Sequence, residues 1–247
     1  MTRLGIVTGG AQGIGLAIVN ALLDQSVVDR VAVLDLEPEA LADPPPNVTT
    51  HRCDVTDEDS VRAAYAAIGE APAVLVNNAG GGEVGTIDPE GPPLPAFDPF
   101  SDVGHFRRMV ELNFVSAHVV TSVIGPDMDA GSCICNTASI AGQGPSPLFS
   151  YGAAKAALIH WTTSMARALA PRRIRVNAVA PGIIRTRLWE RLQPDDAAYE
   201  SMVTETMPMA EDQKPEDIAD AVAFLCSSRA AQITGEIIRI DGGLTLR

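Results

Sequence analysis

The short apolar run Leu4–Thr8 ends directly on Gly9-Gly10-Ala11-Gln12-Gly13-Ile14-Gly15, and a helical pattern of Ile14, Ala17, Ile18, Ala21 and Leu22 starts inside those glycines. Strand, glycine turn and helix in immediate succession constrain a chain severely. The helix must fold back over its strand, and the next strand must then run parallel to the first. Glycines let the backbone approach a pyrophosphate closely, and a helix start offers free N–H groups and a positive dipole end. Gly9, Gln12, Gly13, Ile14 and Gly15 are therefore candidate cofactor contacts.

The alternation continues along the chain. Apolar runs at 31–35, 48–53, 73–76, 132–138, 174–179 and 237–240 read as strands. Helical patterns separate most of them, and Asp57 is placed to cap one at Val61, Ala64, Tyr65 and Ile68. No internal repeat or linker interrupts residues 1–247, so one α/β domain is expected, a doubly wound parallel sheet with helices on both faces. Asp35 ends the second strand twenty residues beyond Gly15, the spacing at which a carboxylate meets adenosine ribose hydroxyls. It should repel a 2′-phosphate, and Gln12 supplies no cation for one, so NAD is expected over NADP. Residues 81–100, rich in Gly and Pro, read as an extended surface loop. Residues 187–212, with Met202, Met207 and Met209, read as a substrate lid or as packing.

Chemistry concentrates between Ser139 and Lys155. A strand delivers the Ser139 hydroxyl, a Gly/Pro loop follows, and Tyr151 and Lys155 stand one turn apart at a helix start. A phenol titrates near 10 and is a poor acid or base at neutral pH, but a neighbouring cation can lower it by about 1–3 units. Asn113 falls inside the apolar pattern of a helix expected from about Ser101, where a buried amide must be hydrogen-bonded. Ala141, Gln143, Trp189 and Met207 outline a mostly apolar substrate cavity.

Net charge of −13 argues against nucleic acid or an anionic membrane as partner. Cys133 and Cys135 lie two apart in a strand and so cannot bridge each other there. With Cys53 and Cys226 they read as buried hydrophobes, and no Cys/His spacing suggests a metal. The first residues show no signal-peptide pattern, and no apolar run is long enough to span a bilayer, so a cytoplasmic protein is expected.

Together, Thr8-Gly9-Gly10-Ala11-Gln12-Gly13-Ile14-Gly15, Asn77-Asn78-Ala79-Gly80, Asn113, Ser139, Tyr151/Lys155 and Pro181-Gly182 with Thr186 resemble the short-chain dehydrogenase/reductase family over nearly the whole chain. The resemblance implies a Rossmann-type seven-stranded sheet, a homodimer or homotetramer built on two long helices, and a nicotinamide cofactor. It implies that Tyr151 exchanges a proton with an alcohol or carbonyl oxygen held by Ser139. Lys155 would lower the Tyr151 pKa and bind the nicotinamide ribose, and Asn113 would steady a water leading to Lys155. Asp54 and Val55 would flank the adenine, and Asn78, Ala79 and Gly80 would lie along the cofactor. Pro181, Gly182, Ile184 and Thr186 would surround the carboxamide. The loop from Ser139 to Tyr151 is shorter than the family pattern, which leaves Thr137 and Ser150 open as partners of the substrate oxygen. The expected activity is NAD(H)-dependent interconversion of a secondary alcohol and a ketone. A non-redox use of the fold is the alternative, either an NAD-binding regulator or an epimerase or dehydratase.

Overall fold

The computed structural model describes residues 2–81, 97–184 and 196–246. Seven parallel strands form one sheet in the order β3-β2-β1-β4-β5-β6-β7. They are β1 (Leu4–Thr8), β2 (Arg30–Asp35), β3 (Val48–Arg52), β4 (Val74–Asn77), β5 (Cys133–Thr137), β6 (Arg175–Pro181) and β7 (Ile237–Ile240). The order reverses between β1 and β4, and at such a switch point the loops leaving the strands' carboxyl ends diverge and open a crevice. The expected fold class is thus the observed one, with strand ends shifted by a residue or two.

Period-two alternation sorts the strand side chains between two cores. Val7, Val31, Val33, Val74, Val76, Cys133 and Cys135 face one side, where α1 (Gly13–Asp24) and α7 (Pro215–Cys226) bring Ile18, Leu22, Ile218 and Val222. Leu4, Ile6, Ala32, Leu34, Leu75, Ile134 and Val176 face the other. There α2 (Glu58–Ile68), α4 (Ser116–Ile124) and α5 (Phe149–Leu169) bring Val61, Val120, Ile124 and Ala166. Each large apolar side chain so enclosed contributes about 1.5–3 kcal/mol. All four cysteines are free and buried, and Cys133 and Cys135 share a face as their spacing requires.

Helix starts follow their caps. Asp57 accepts from the Asp59 amide at 3.0 Å ahead of α2, and Asp102 accepts from the His105 amide at 3.0 Å ahead of α3 (Val103–Val110). The Asp217 carboxylate accepts from the Lys214 amide at 2.8 Å at the start of α7. The helix expected from about Ser101 is not one regular rod, because Glu111–Val115 forms a π-helical turn between α3 and α4. Within 187–212, the described part holds α6 (Asp196–Thr206), whose Tyr199 and Val203 join Met207 in a small core against Ile183 and Leu244. No helix among the described residues is long and apolar enough to cross a membrane.

Candidate active site

At the glycine turn the backbone folds on itself so tightly that a Cβ on Gly15 would lie 1.9 Å from the Gly9 carbonyl oxygen. No side chain fits there, and the start of α1 is left bare beside the crevice. Asp35 fixes the turn from outside. Its Oδ2 accepts from the Ala11 amide at 3.0 Å, and its Oδ1 accepts from the Glu37 amide at 3.0 Å. The carboxylate is 9% exposed, so it both caps the strand end and presents an anion at the rim. Its register partner on β3 is Arg52, whose guanidinium donates to both Glu39 carboxylate oxygens at 2.8 Å and to the Leu36 carbonyl. Arg52 was not singled out in the sequence, because only the β2–β3 register places it beside Asp35.

Asn78 stitches three loops together. Its side-chain amide donates to the Thr8 and Gly9 carbonyls at 3.2 Å, its backbone N–H donates to the Thr8 hydroxyl at 2.9 Å, and its Oδ1 accepts from the Thr137 hydroxyl at 3.2 Å. The Ala79 amide donates to the same Thr8 hydroxyl. Asp54 accepts from the amide and hydroxyl of Thr56, at 2.9 and 2.7 Å. The Val55 side chain is buried in the core, so only its backbone remains for a ligand. Pro181 closes β6, Gly182 follows it, and Ile184 pairs with Gln213 in an isolated bridge. Thr186 and Trp189 lie outside the described residues.

Tyr151, Lys155 and Ser139 converge beside this crevice. Lys155 is 3% exposed, and its ammonium donates to the Thr137 carbonyl at 2.8 Å. It sits 5.6 Å from the centre of the Tyr151 ring. Burial pushes the ammonium down to about 8, because a charge removed from water is disfavoured. Ser139 caps a short turn, Ile140–Gly142, and its oxygen accepts from the Ala141 amide at 3.2 Å. The hydroxyl proton is left to donate. The other two hydroxyls are engaged elsewhere: Thr137 donates to Asn78, and Ser150 is paired with His105 Nε2 at 3.3 Å in a buried contact. The Tyr151 phenol feels that burial as well. Burial pushes the phenol above its usual value, while Ser139, close enough to hydrogen-bond it, pulls it back.

Asn113 lies in the π-helical turn at 1% exposure. Its side-chain amide donates to the Gly81 carbonyl at 2.8 Å and to the Met109 carbonyl at 3.1 Å, and its Oδ1 accepts from the Gly81 amide at 3.0 Å. The side chain thus pairs with Gly81 as a second strand would. A Cβ on Gly80 would come within 2.9 Å of Asn113 Oδ1 and 3.3 Å of Lys155 Nζ, so the smallest residue lets three loops meet. A buried chain of polar contacts that the sequence did not reveal lies behind the site. Asn77 donates to Thr121 and to Asn136, and Asn136 donates to Thr162, at 2.9–3.0 Å. Met207, expected to line the substrate cavity, is instead 2% exposed and packed in the α6 core, so it is packing.

These residues fit a nicotinamide dinucleotide. In the glycine turn a Cβ on Gly13 would meet nothing within 4 Å, so the backbone there stands open to a ligand beside the tightly closed Gly15. Two buried amide oxygens, Gln12 Oε1 in the glycine turn and Gln213 Oε1 behind Gly182, have no hydrogen-bond partner among the described residues. No group of three or more His, Cys, Asp or Glu able to hold a metal occurs among the described residues.

A family model described as enoyl-(acyl carrier protein) reductase matches residues 9–245. An uncharacterized short-chain type dehydrogenase/reductase from Sinorhizobium fredii is 35% identical over 98% of the chain, which spans 43% of that protein's length. The cis-4-hydroxycyclohexanecarboxylate dehydrogenase of Sinomonas cyclohexanicum is 36% identical, covering 98% of this chain and 96% of that one. The 7alpha-hydroxysteroid dehydrogenase of Escherichia coli is 33% identical, covering 98% and 93%. Among solved structures, a short-chain oxidoreductase from Burkholderia thailandensis superposes with a TM-score of 0.86 at 29% identity, covering 99% of this chain and 93% of that one. The RhlG/NADP complex of Pseudomonas aeruginosa superposes at 0.84 with 28% identity, covering 99% and 96%.

Proposed function

The chain belongs to the short-chain dehydrogenase/reductase family and is an oxidoreductase of CH–OH groups, and from that premise we propose that it interconverts a cyclic, largely apolar secondary alcohol and its ketone with NAD(H). The observation that carries this reading is the buried Lys155 ammonium beside the Tyr151 phenol, with the Ser139 hydroxyl within hydrogen-bonding reach of that phenol. Relatives named for a hydroxycyclohexane acid and a hydroxysteroid favour a ring-bearing substrate.

When bound, the nicotinamide supplies the hydride exchange at the carbinol carbon. Tyr151 takes the alcohol proton in oxidation and returns it to the carbonyl oxygen in reduction. Ser139 donates to that same oxygen, fixing its position and sharing its developing charge. Lys155 stabilises the phenolate form as the proton leaves, which the burial of both groups makes costly without a cation. Asn113 acts on the loop, clamping Gly81 so that Gly80 can lie against Lys155.

NAD is favoured over NADP by two acidic groups. Asp35 presents its own charge at the ribose rim, and Glu39 occupies the neighbouring Arg52 guanidinium. A subunit pair or tetramer is supported by the outward face of α5, where Ala153, Ala156, His160, Thr163 and Ser164 are exposed and uncharged. The test of function is a panel of cyclic secondary alcohols incubated with NAD and read as NADH absorbance. Turnover of at least one member is expected. Silence across the panel with NADH still bound would move the weight to a non-redox use of the fold.

A further inference from the structure

We propose that a cavity at the N-terminal edge of the sheet binds the phosphate group of a small metabolite through Arg3, Arg173 and Arg175. The cavity holds about 580 Å³. Arg3 precedes β1, Arg175 opens β6, and Cys226 and Ser227 leave the end of α7. All lie at the edge opposite the glycine turn, Asn78 and Tyr151, so the site is separate from the one described above and does not rest on the reading of its function.

The charge of the lining is the first observation. Three arginines and no Asp or Glu line the cavity, in a chain whose net charge is −13. No ion pair is formed by any of the three among the described residues. Asp29 meets Arg3, but it accepts from the Arg3 backbone amide and does not line the cavity. Arg175 is half-buried and rigid. Its guanidinium donates to the carbonyls of Leu225 at 2.6 Å, Ser227 at 3.1 Å and Ile233 at 3.3 Å. Carbonyls orient the fork without neutralising it.

The backbone of Arg173 is the second observation. Its φ is +59°, in the left-handed region that favours glycine. Its N–H donates to the Ala170 carbonyl at 2.9 Å, and its carbonyl accepts from the Gly131 amide at 2.9 Å, so the conformation is imposed from both sides. Glycine would fit without penalty. An arginine held there at a backbone cost, and lining a cavity already bearing two cations, points to a use for its side chain. Guanidinium forks match the oxygens of a phosphate monoester, and the volume leaves room for a small carrier beyond the phosphate.

The experiment is thermal melting of the full chain with inorganic phosphate or glycerol 3-phosphate, at ionic strength matched with KCl, for the wild type, Arg173→Gly and Arg3→Gln. The wild type should melt higher with either phosphate compound than with KCl alone. Arg173→Gly should melt no lower than the wild type without phosphate, and should bind phosphate about tenfold more weakly or worse, since a charge-assisted fork is lost. Arg3→Gln should lose part of the response, and NADH fluorescence titration should be unchanged in both variants. An absent response in the wild type would overturn the proposal. So would an equal response in wild type and Arg173→Gly, which would place the anion at the glycine turn instead.

Discussion

Lys155 shows how a single residue sets stability against function. An unfolded lysine titrates near 10.5 and the folded Lys155 near 8. Between those values the unfolded chain holds the extra proton, so stability rises with pH across that window. Below pH 8 the cost is fully present, about 3 kcal/mol. Lys155→Met should therefore melt higher than the wild type at pH 7, by an amount that shrinks toward pH 10, while losing turnover. Melting curves at the two pH values check this, and a variant destabilised equally at both would show that the ammonium is held without strain. The cofactor rim is a second residue-scale matter. Asp35→Ser should narrow the NAD/NADP ratio of kcat/KM. Adding Glu39→Gln should narrow it further by freeing Arg52, and a ratio unmoved by either change would remove both acids from cofactor choice.

Elements carry what single residues cannot. The π-helical turn at Glu111–Val115 separates α3 from α4 and seats Asn113 against Gly81. Its sequence carries only an amide in an apolar stripe, which identified a buried residue with an obligation but not the irregular turn that meets it. The same holds for His105 and Ser150, which pair between α3 and α5 and close off one alternative to Ser139. Helix α5 has two roles. Its inner face delivers Tyr151 and Lys155, and its outer face stays uncharged as far as Arg167. Such a face suits a second subunit. Light scattering should give a dimer or tetramer mass for the wild type, and Thr163→Arg should lower it. A monomeric wild type would contradict this use of the helix.

At the scale of the whole molecule, what could be read in advance was what depends on period and local spacing. Alternation of strands with helices predicted a sheet covered on both faces, and the glycine turn with its following helix predicted that it is parallel. The strand order, with its reversal between β1 and β4, then explains why Gly9, Asn78, Ser139 and Gly182 end on one edge although far apart in sequence. Features made by contacts across that distance were not legible. The pairing of Arg52 with Glu39, the Asn77–Asn136–Thr162 chain and the arginine cavity each need the register of neighbouring strands before their members meet. Spacing likewise placed a cation beside the phenol, but the burial that pushes the phenol up and the ammonium down needs the packed fold.

The most direct measurement compares NADH formation by wild type and Tyr151→Phe on the best alcohol of the panel, with NADH binding followed by fluorescence in parallel. Removing the proton acceptor should cut turnover by about a hundredfold or more while cofactor binding persists. Full turnover in Tyr151→Phe would contradict the acid/base role on which the account stands.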